Sequence, residues 1–317
     1  MGLDASNSEK PDTLLTVSKT DILKLSRTRL KKGVSIAVRL LVDDDSKDIH
    51  DLRVSSRRLQ QVISLLFPKP RHGKSRKVIR SLRKLRRDWS ACRNFDVNLV
   101  LLEEKLESLT ADGARDAWDY VRRCLLELRA QEFDRAKKRL RNLDILSFIR
   151  RTEQLFDTVK TEKLQNLDSR EIFADTLTDW DEAIVQAKSN PDSKHLHEMR
   201  ISGKRLRYRL EVLAELDNST AEYVNSLKAL QDELGRWHDW HVLLHFVTDL
   251  SEKPEFVRDH PELQQILTRD VAEEACKNNE RFDPILKQAE MLQLKLGSFK
   301  DHFKASPKAQ EPVSSSL

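Results

Sequence analysis

Apolar residues recur every three or four positions through nearly the whole chain, and this spacing predicts helices almost end to end. The runs fall at 20–43, 46–67, 74–91, 94–110, 113–141 and 143–165, then at 170–189, 193–216, 219–235, 238–252, 260–280 and 283–303. Breaks are marked by Pro68, Pro70 and Gly73, by Asn190 and Pro191, by Asp217 and Asn218, and by Pro254. No alternating strand pattern with glycine-rich turns intervenes, so the expected fold class is all-α. Residues 1–18 and 305–317 are polar, Ser/Pro-rich and aperiodic, which predicts disordered tails around an ordered domain at 19–304.

Part of the pattern is written twice. Residues 45–59 read D-S-K-D-I-H-D-L-R-V-S-S-R-R-L, and residues 192–206 read D-S-K-H-L-H-E-M-R-I-S-G-K-R-L. Eight of the fifteen positions are identical and five more exchange like for like. A second pair, residues 81–97 and 226–242, aligns at an offset of 145 where the first pair is offset by 147. A unit of about 150 residues is too long for a solenoid repeat. The duplication therefore predicts two similar helical bundles, about 19–165 and 166–304, related by a pseudo-two-fold axis with equivalent helices facing each other.

Helical phase separates the work of each copy. In the first, Arg53 and Arg57 fall within about 60° of His50, whereas Ile49, Leu52, Leu59, Val62, Ile63 and Leu66 share the opposite, core-facing side. In the second, His197, Arg200, Lys204 and Tyr208 share one side, and Leu196, Met199, Leu206, Leu210 and Leu213 the other. Asp45-Ser46 and Asp192-Ser193 supply N-cap oxygens and place each histidine in an opening turn. Between residues 74 and 87, eight of fourteen residues are Lys or Arg. Arg76, Arg80, Arg83 and Arg87 stack on one side with no Glu at i+4 to relieve them, which points to an external anion.

Composition sharpens this picture. Gly (7) and Pro (9) are scarce and aromatics make up 6 %, in keeping with helices. The net charge is only +5, yet residues 19–96 hold 22 Lys/Arg against 8 Asp/Glu, a surplus of +14 that leaves −9 elsewhere. Such a local excess attracts polyanions or an anionic surface. Cys92, Cys124 and Cys276 stand far apart in apolar register, which predicts reduced, buried thiols in a cytoplasmic protein. No apolar run approaches 18 residues and no signal peptide is evident, so no membrane span is expected. The opening Met1-Gly2-Leu3-Asp4-Ala5-Ser6 fits a myristoylation pattern loose enough to match often by chance.

At this point the motifs resemble a known family. H-x-L-R-V-x-x-R-R-L from His50, Arg93-Asn94-Phe95-Asp96-Val97, H-x-M-R-I-x-x-K-R-L-R-Y from His197 and L-Q-D-x-L-G-x-x-H-D from Leu230 are similar to those of the CHAD family, the conserved-histidine α-helical domain. The resemblance covers about residues 20–303 and implies two four-helix-bundle-like halves, a basic channel or cavity between them, and binding of inorganic polyphosphate. It carries a binding role onto His50, Arg53, Arg57, Arg58, Arg93, His197, Arg200, Lys204, Arg205, Arg207 and Tyr208. Asn94 stands where the family usually has an acid, and His241 replaces the second acid of the later copy. The E-x-E-x-K signature of the triphosphate-processing domain fused to some members is not found, so the chain resembles a stand-alone member.

The same residues admit rival readings. His238, His241 and His245 stand at metal-ligand spacing beside Asp239, but the first half has Arg93, Asp96 and Val100 there, and no metal or other cofactor is assigned. No H-E-x-x-H, phosphate-binding glycine loop or G-x-S-x-G is present, so no enzyme activity is expected. The expected function is inorganic polyphosphate binding in the cytoplasm, in association with polyphosphate granules, with affinity rising as the histidines protonate near pH 6.5. The alternatives are a nucleic-acid-binding helical protein, which would call for stacking aromatics absent from the basic faces, and a histidine phosphotransfer module. Oligomeric state is not set by the sequence.

Overall fold

A computed structural model of the chain describes residues 16–67, 73–159, 167–217 and 220–305. Among these the fold is all-helical. The first half contributes α1 (Lys19–Val42), α2 (Ser46–Leu66), α3 (Gly73–Asp88), α4 (Ser90–Ser108), α5 (Asp112–Arg141) and α6 (Ile145–Val159). The second contributes α7 (Ser169–Ser189), α8 (Ser193–Asp217), α9 (Ala221–Ser251), α10 (Pro254–Asp259), α11 (Pro261–Asn279) and α12 (Phe282–Ala305). Two residues at each entry, β1 (Thr16–Val17) and β2 (Leu167–Asp168), pair antiparallel and tie the start of the first half to the start of the second.

The expected caps form. Asp45 accepts a hydrogen bond from the Lys47 amide (2.8 Å) at the head of α2, and Asp192 from the His195 amide (2.9 Å) at the head of α8. Packing repeats between the halves: α1 lies on α2 as α7 lies on α8, α4 on α5 as α9 on α11, and α3 on α6 as α9 on α12. The helices that meet across the halves include α2 with α8 and α4 with α9, each an equivalent pair by the sequence repeat. Cores are shared rather than separate. One joins Leu59, Ile63 and Leu82 to Trp180, Leu206 and Leu230, and another joins Leu102, Trp118 and Leu125 to Leu243, Val247 and Leu267.

Several expectations are corrected. The runs at 219–235 and 238–252 are one continuous helix, α9. Gly235 costs a helix interior about 1 kcal/mol, but Leu234 and Trp237 are buried on one core and Leu243 and Val247 on the next, so packing holds the helix through it. The equivalent passage in the first half is broken at Trp89, whose backbone (φ −104°, ψ 9°) leaves the helix between α3 and α4. Its fully buried indole stands edge-on to Phe133 at 5.6 Å. The tail expected at 1–18 gives way to order by Thr16, and Ser18 caps α1. Cys92 is buried as expected, but Cys124 is half-buried and Cys276 exposed. The rest of both tails, the Met1–Ser6 pattern, Pro68, Pro70 and Asn218 lie outside the described residues.

Candidate anion-binding site

α2 and α8 bring their repeated cations face to face. Arg57 lies within electrostatic reach of Arg200 and Lys204 across the halves, and of Arg53 and Arg86 on its own side. Arg93, from the first turn of α4, joins beside Arg53 and His50. Tyr208, 5 % exposed, sits among Arg53, Arg86 and Arg200, with the Arg207 guanidinium 5.0 Å over its ring. The carboxylate drawn into this cluster is Asp239, 4.0 Å from Arg200.

So many half-buried cations at close quarters disfavour one another's charge. Burial, then Arg57, Arg86 and Arg93, push Arg53 down to about 10. Burial, then Arg57 and Arg83, do the same to Arg86. Lys204 falls to about 6 through burial, then Arg200 and Arg57. Arg53 is held in place by the Arg86 carbonyl and by Ser90 Oγ (2.9 Å), both at the α3–α4 break, where helix-end carbonyls are free to accept. Arg57 and Lys204 have no ion-pair or hydrogen-bond partner among the described residues. Unpaired, crowded cations are a poor way to stabilise a fold and a good way to await an anion.

The histidines line the edges. His50 keeps an exposed edge, and its pKa is held below the ordinary imidazole value by desolvation, then by Arg93, with Arg57 and Arg53 adding to it. His197 is lowered by burial, then by Arg200 and Lys204. These shifts correct the expectation of protonation near pH 6.5, because the cations beside each ring oppose it. His197 packs against His238 with ring centroids 4.9 Å apart, and burial, then Arg200 and His197, drive His238 to about 3. A neutral imidazole still offers one N–H to an anion.

Other expected residues stand elsewhere. Arg58 is taken up by Glu211 of α8 (3.0 Å), and Arg205 pairs with Asp179 of α7 (3.4 Å). Arg207 shares Glu211 at 3.5 Å. Arg76, Arg80, Arg83 and Arg87 are exposed along α3 without a carboxylate partner among the described residues, and Arg83 lies beside Arg86. Asp96 turns inward to pin Arg129 (2.9 Å), which also binds Asp44. His241 stacks on Trp237 (5.7 Å) and meets His245 (4.4 Å), so the three histidines of α9 do not converge. Among the described residues no three His, Cys, Asp or Glu side chains form a ligand set.

Sequence reasoning missed three members. Arg86 lies just outside the phase of the α3 stripe, yet it is the α3 arginine that enters the cluster, gripped by Gln60. His238 is the repeat partner of Arg93, a histidine replacing an arginine, and identity matching passes over such an exchange. Asp239 aligns with Asn94 for the same reason. The density of Lys/Arg between 74 and 87 was the available signal for Arg86.

Fold and site together define an all-helical protein with a duplicated unit and a cationic cluster where the copies meet. The CHAD domain family matches residues 34–248, and the chain belongs to that family. Among solved structures, the CHAD domain from the plant Ricinus communis is similar at 19 % identity with a TM-score of 0.66, over 90 % of this chain and 97 % of that one. PptA from Streptomyces chartreusis is similar at 15 % identity with a TM-score of 0.63, over 87 % of this chain and 100 % of that one. Both likenesses concern the fold. No curated protein matches the chain. No helix among the described residues is long and apolar enough to cross a membrane.

Proposed function

We propose that this chain binds inorganic polyphosphate, seated in a basic channel between two halves related by a pseudo-two-fold axis, and that it is a binder rather than an enzyme. One observation carries the reading: Arg57 of α2 and Arg200 and Lys204 of α8 share a single cluster that contains far more cations than carboxylates. Membership of the CHAD family, which is linked to polyphosphate binding, supports it. Linear polyphosphate carries about one charge per phosphate and no bases, so it suits guanidinium forks at short intervals without stacking rings. Tyr208 is buried and already covered by Arg207, which leaves no open aromatic platform among the site residues. The three free cysteines suit a reducing cytoplasm, where polyphosphate granules are the expected place of association.

Substitution tests this directly. Each charge-assisted hydrogen bond to phosphate contributes about 1.5–3 kcal/mol, or roughly tenfold or more in Kd. An Arg53/Arg57/Arg200/Lys204 quadruple Ala variant should therefore lose polyphosphate affinity by several orders of magnitude while keeping its helical spectrum. Affinity like that of the unaltered protein in the folded variant would move the site elsewhere.

A further inference from the structure

Beyond the cationic cluster, α9 carries two histidines that the cluster leaves unused. His241 and His245 stand four residues apart and so share one side of the helix. Their ring centroids lie 4.4 Å apart. Two imidazoles on one zinc ion, each bonded through nitrogen at about 2.0–2.1 Å, place their centroids about 4.5–5 Å apart. The pair therefore stands close to chelating separation, at the i, i+4 spacing by which helical histidines share a metal ion.

Both rings can take a ligand. His245 is exposed and His241 half-buried, and neither has a hydrogen-bond or ion-pair partner among the described residues. Trp237 stacks on His241 at 5.7 Å, with the planes 15° apart, and steadies that ring. His238 packs instead against His197, and no third His, Cys, Asp or Glu completes a ligand set among the described residues. Two nitrogens leave a metal ion with open positions, for water or for an anion. An anion has a seat close by, because His197 lies within electrostatic reach of His241 and also of Arg200 and Lys204.

We infer that His241 and His245 chelate one divalent metal ion of the zinc and copper class at the edge of the cationic cluster, with a phosphate oxygen of the bound anion as a further ligand. Imidazole nitrogens suit these ions, whereas Mg²⁺ and Ca²⁺ call for oxygen ligands. The histidine pair stands independently of the polyphosphate reading, and the phosphate ligand rests on that reading.

Calorimetric titration of the full chain with Zn²⁺ tests the pair. Zn²⁺ should bind saturably, and an excess of Mg²⁺ should not displace it. Loss of an outer-shell partner alone costs about 10–100-fold in metal affinity, so loss of a ligand in His245→Ala should cost at least as much. His245 is exposed, so this variant should keep its fold. His195→Ala, at a ring already held by Asp192 (2.8 Å), should leave Zn²⁺ binding unchanged. Polyphosphate titrated with and without Zn²⁺ tests the added ligand. Zn²⁺ should tighten it roughly tenfold in the parent, an ordinary coupling between two ligands, and should not in His245→Ala. Metal held by polyphosphate in solution affects both proteins alike, so the difference between them isolates the site. Absence of saturable Zn²⁺ binding, or equal Zn²⁺ binding in His245→Ala, would overturn the metal site. An equal effect of Zn²⁺ on polyphosphate binding in both proteins would overturn the phosphate ligand. Zn²⁺ binding lost in His245→Ala, in a parent that takes up no polyphosphate, would uphold the histidine pair and overturn the polyphosphate reading with its ligand.

Discussion

Lys204 shows what the cluster costs and what it is ready to gain. Its pKa in the fold, about 6, lies below the ordinary 10.5, so between these values the unfolded chain holds a proton that the folded chain lacks. Stability therefore rises with pH across that window, and the penalty of burying Lys204 is greatest at its lower end. A Lys204→Met variant should resist urea better than the parent at pH 7, with the gain shrinking toward pH 10, while it binds polyphosphate more weakly. A bound polyanion reverses the balance by stabilising the ammonium form. Binding near pH 8 should take up protons and tighten as pH falls toward 6, a result visible as buffer-dependent heats in calorimetry. Arg53, Arg57, Arg200 and Lys204 were legible in the sequence because their phase repeats. Arg58 and Arg205 repeat as well, yet they are drawn off by Glu211 and Asp179. Pairing of that kind depends on which helices meet, and periodicity along one chain carries no trace of it.

Among the elements, α3 and α4 matter most, because the break between them at Trp89 exposes the carbonyl that holds Arg53. Trp89→Ala would leave a large void beside Phe133 and should cost about 3–5 kcal/mol of stability, measured by denaturant unfolding. Arg86 and the outer stripe of α3 should behave differently. Arg86→Ala should weaken polyphosphate binding by roughly tenfold at any chain length. A triple Arg76/Arg80/Arg87→Ala variant should weaken long chains more than short ones, since those residues lie along the exposed length of α3 and a chain has to extend to reach them. Equal losses for short and long chains in the triple variant would place those arginines inside the site. Helix positions were readable because the apolar spacing and the aspartate caps agree. The single course of α9 was not, because buried contacts on two separate cores carry that helix through Gly235.

At the scale of the whole molecule, a duplicated sequence pattern surrounds an asymmetric cationic cluster. The first half supplies Arg53, Arg57, Arg86 and Arg93; the second supplies Arg200 and Lys204 and sets His238 opposite Arg93 and Gln231 opposite Arg86 in the repeat. Ion pairs between the halves, Arg29 with Glu215 (2.7 Å) and Lys105 with Glu274 (2.8 Å), and the shared cores hold the two faces in one arrangement. The all-helical class and the duplication were plain in the sequence; the sharing of cores was not, since a buried leucine in one half looks the same whichever half it packs against. In the proposed function both halves form one polyanion site suited to phosphate chains without bases. Its most direct test is calorimetric titration with polyphosphate of defined length at physiological salt, repeated with single-stranded RNA of equal charge as competitor. One site per protein chain, little displaced by the RNA, is the predicted result. Two independent sites per chain, or equal displacement by the RNA, would contradict it.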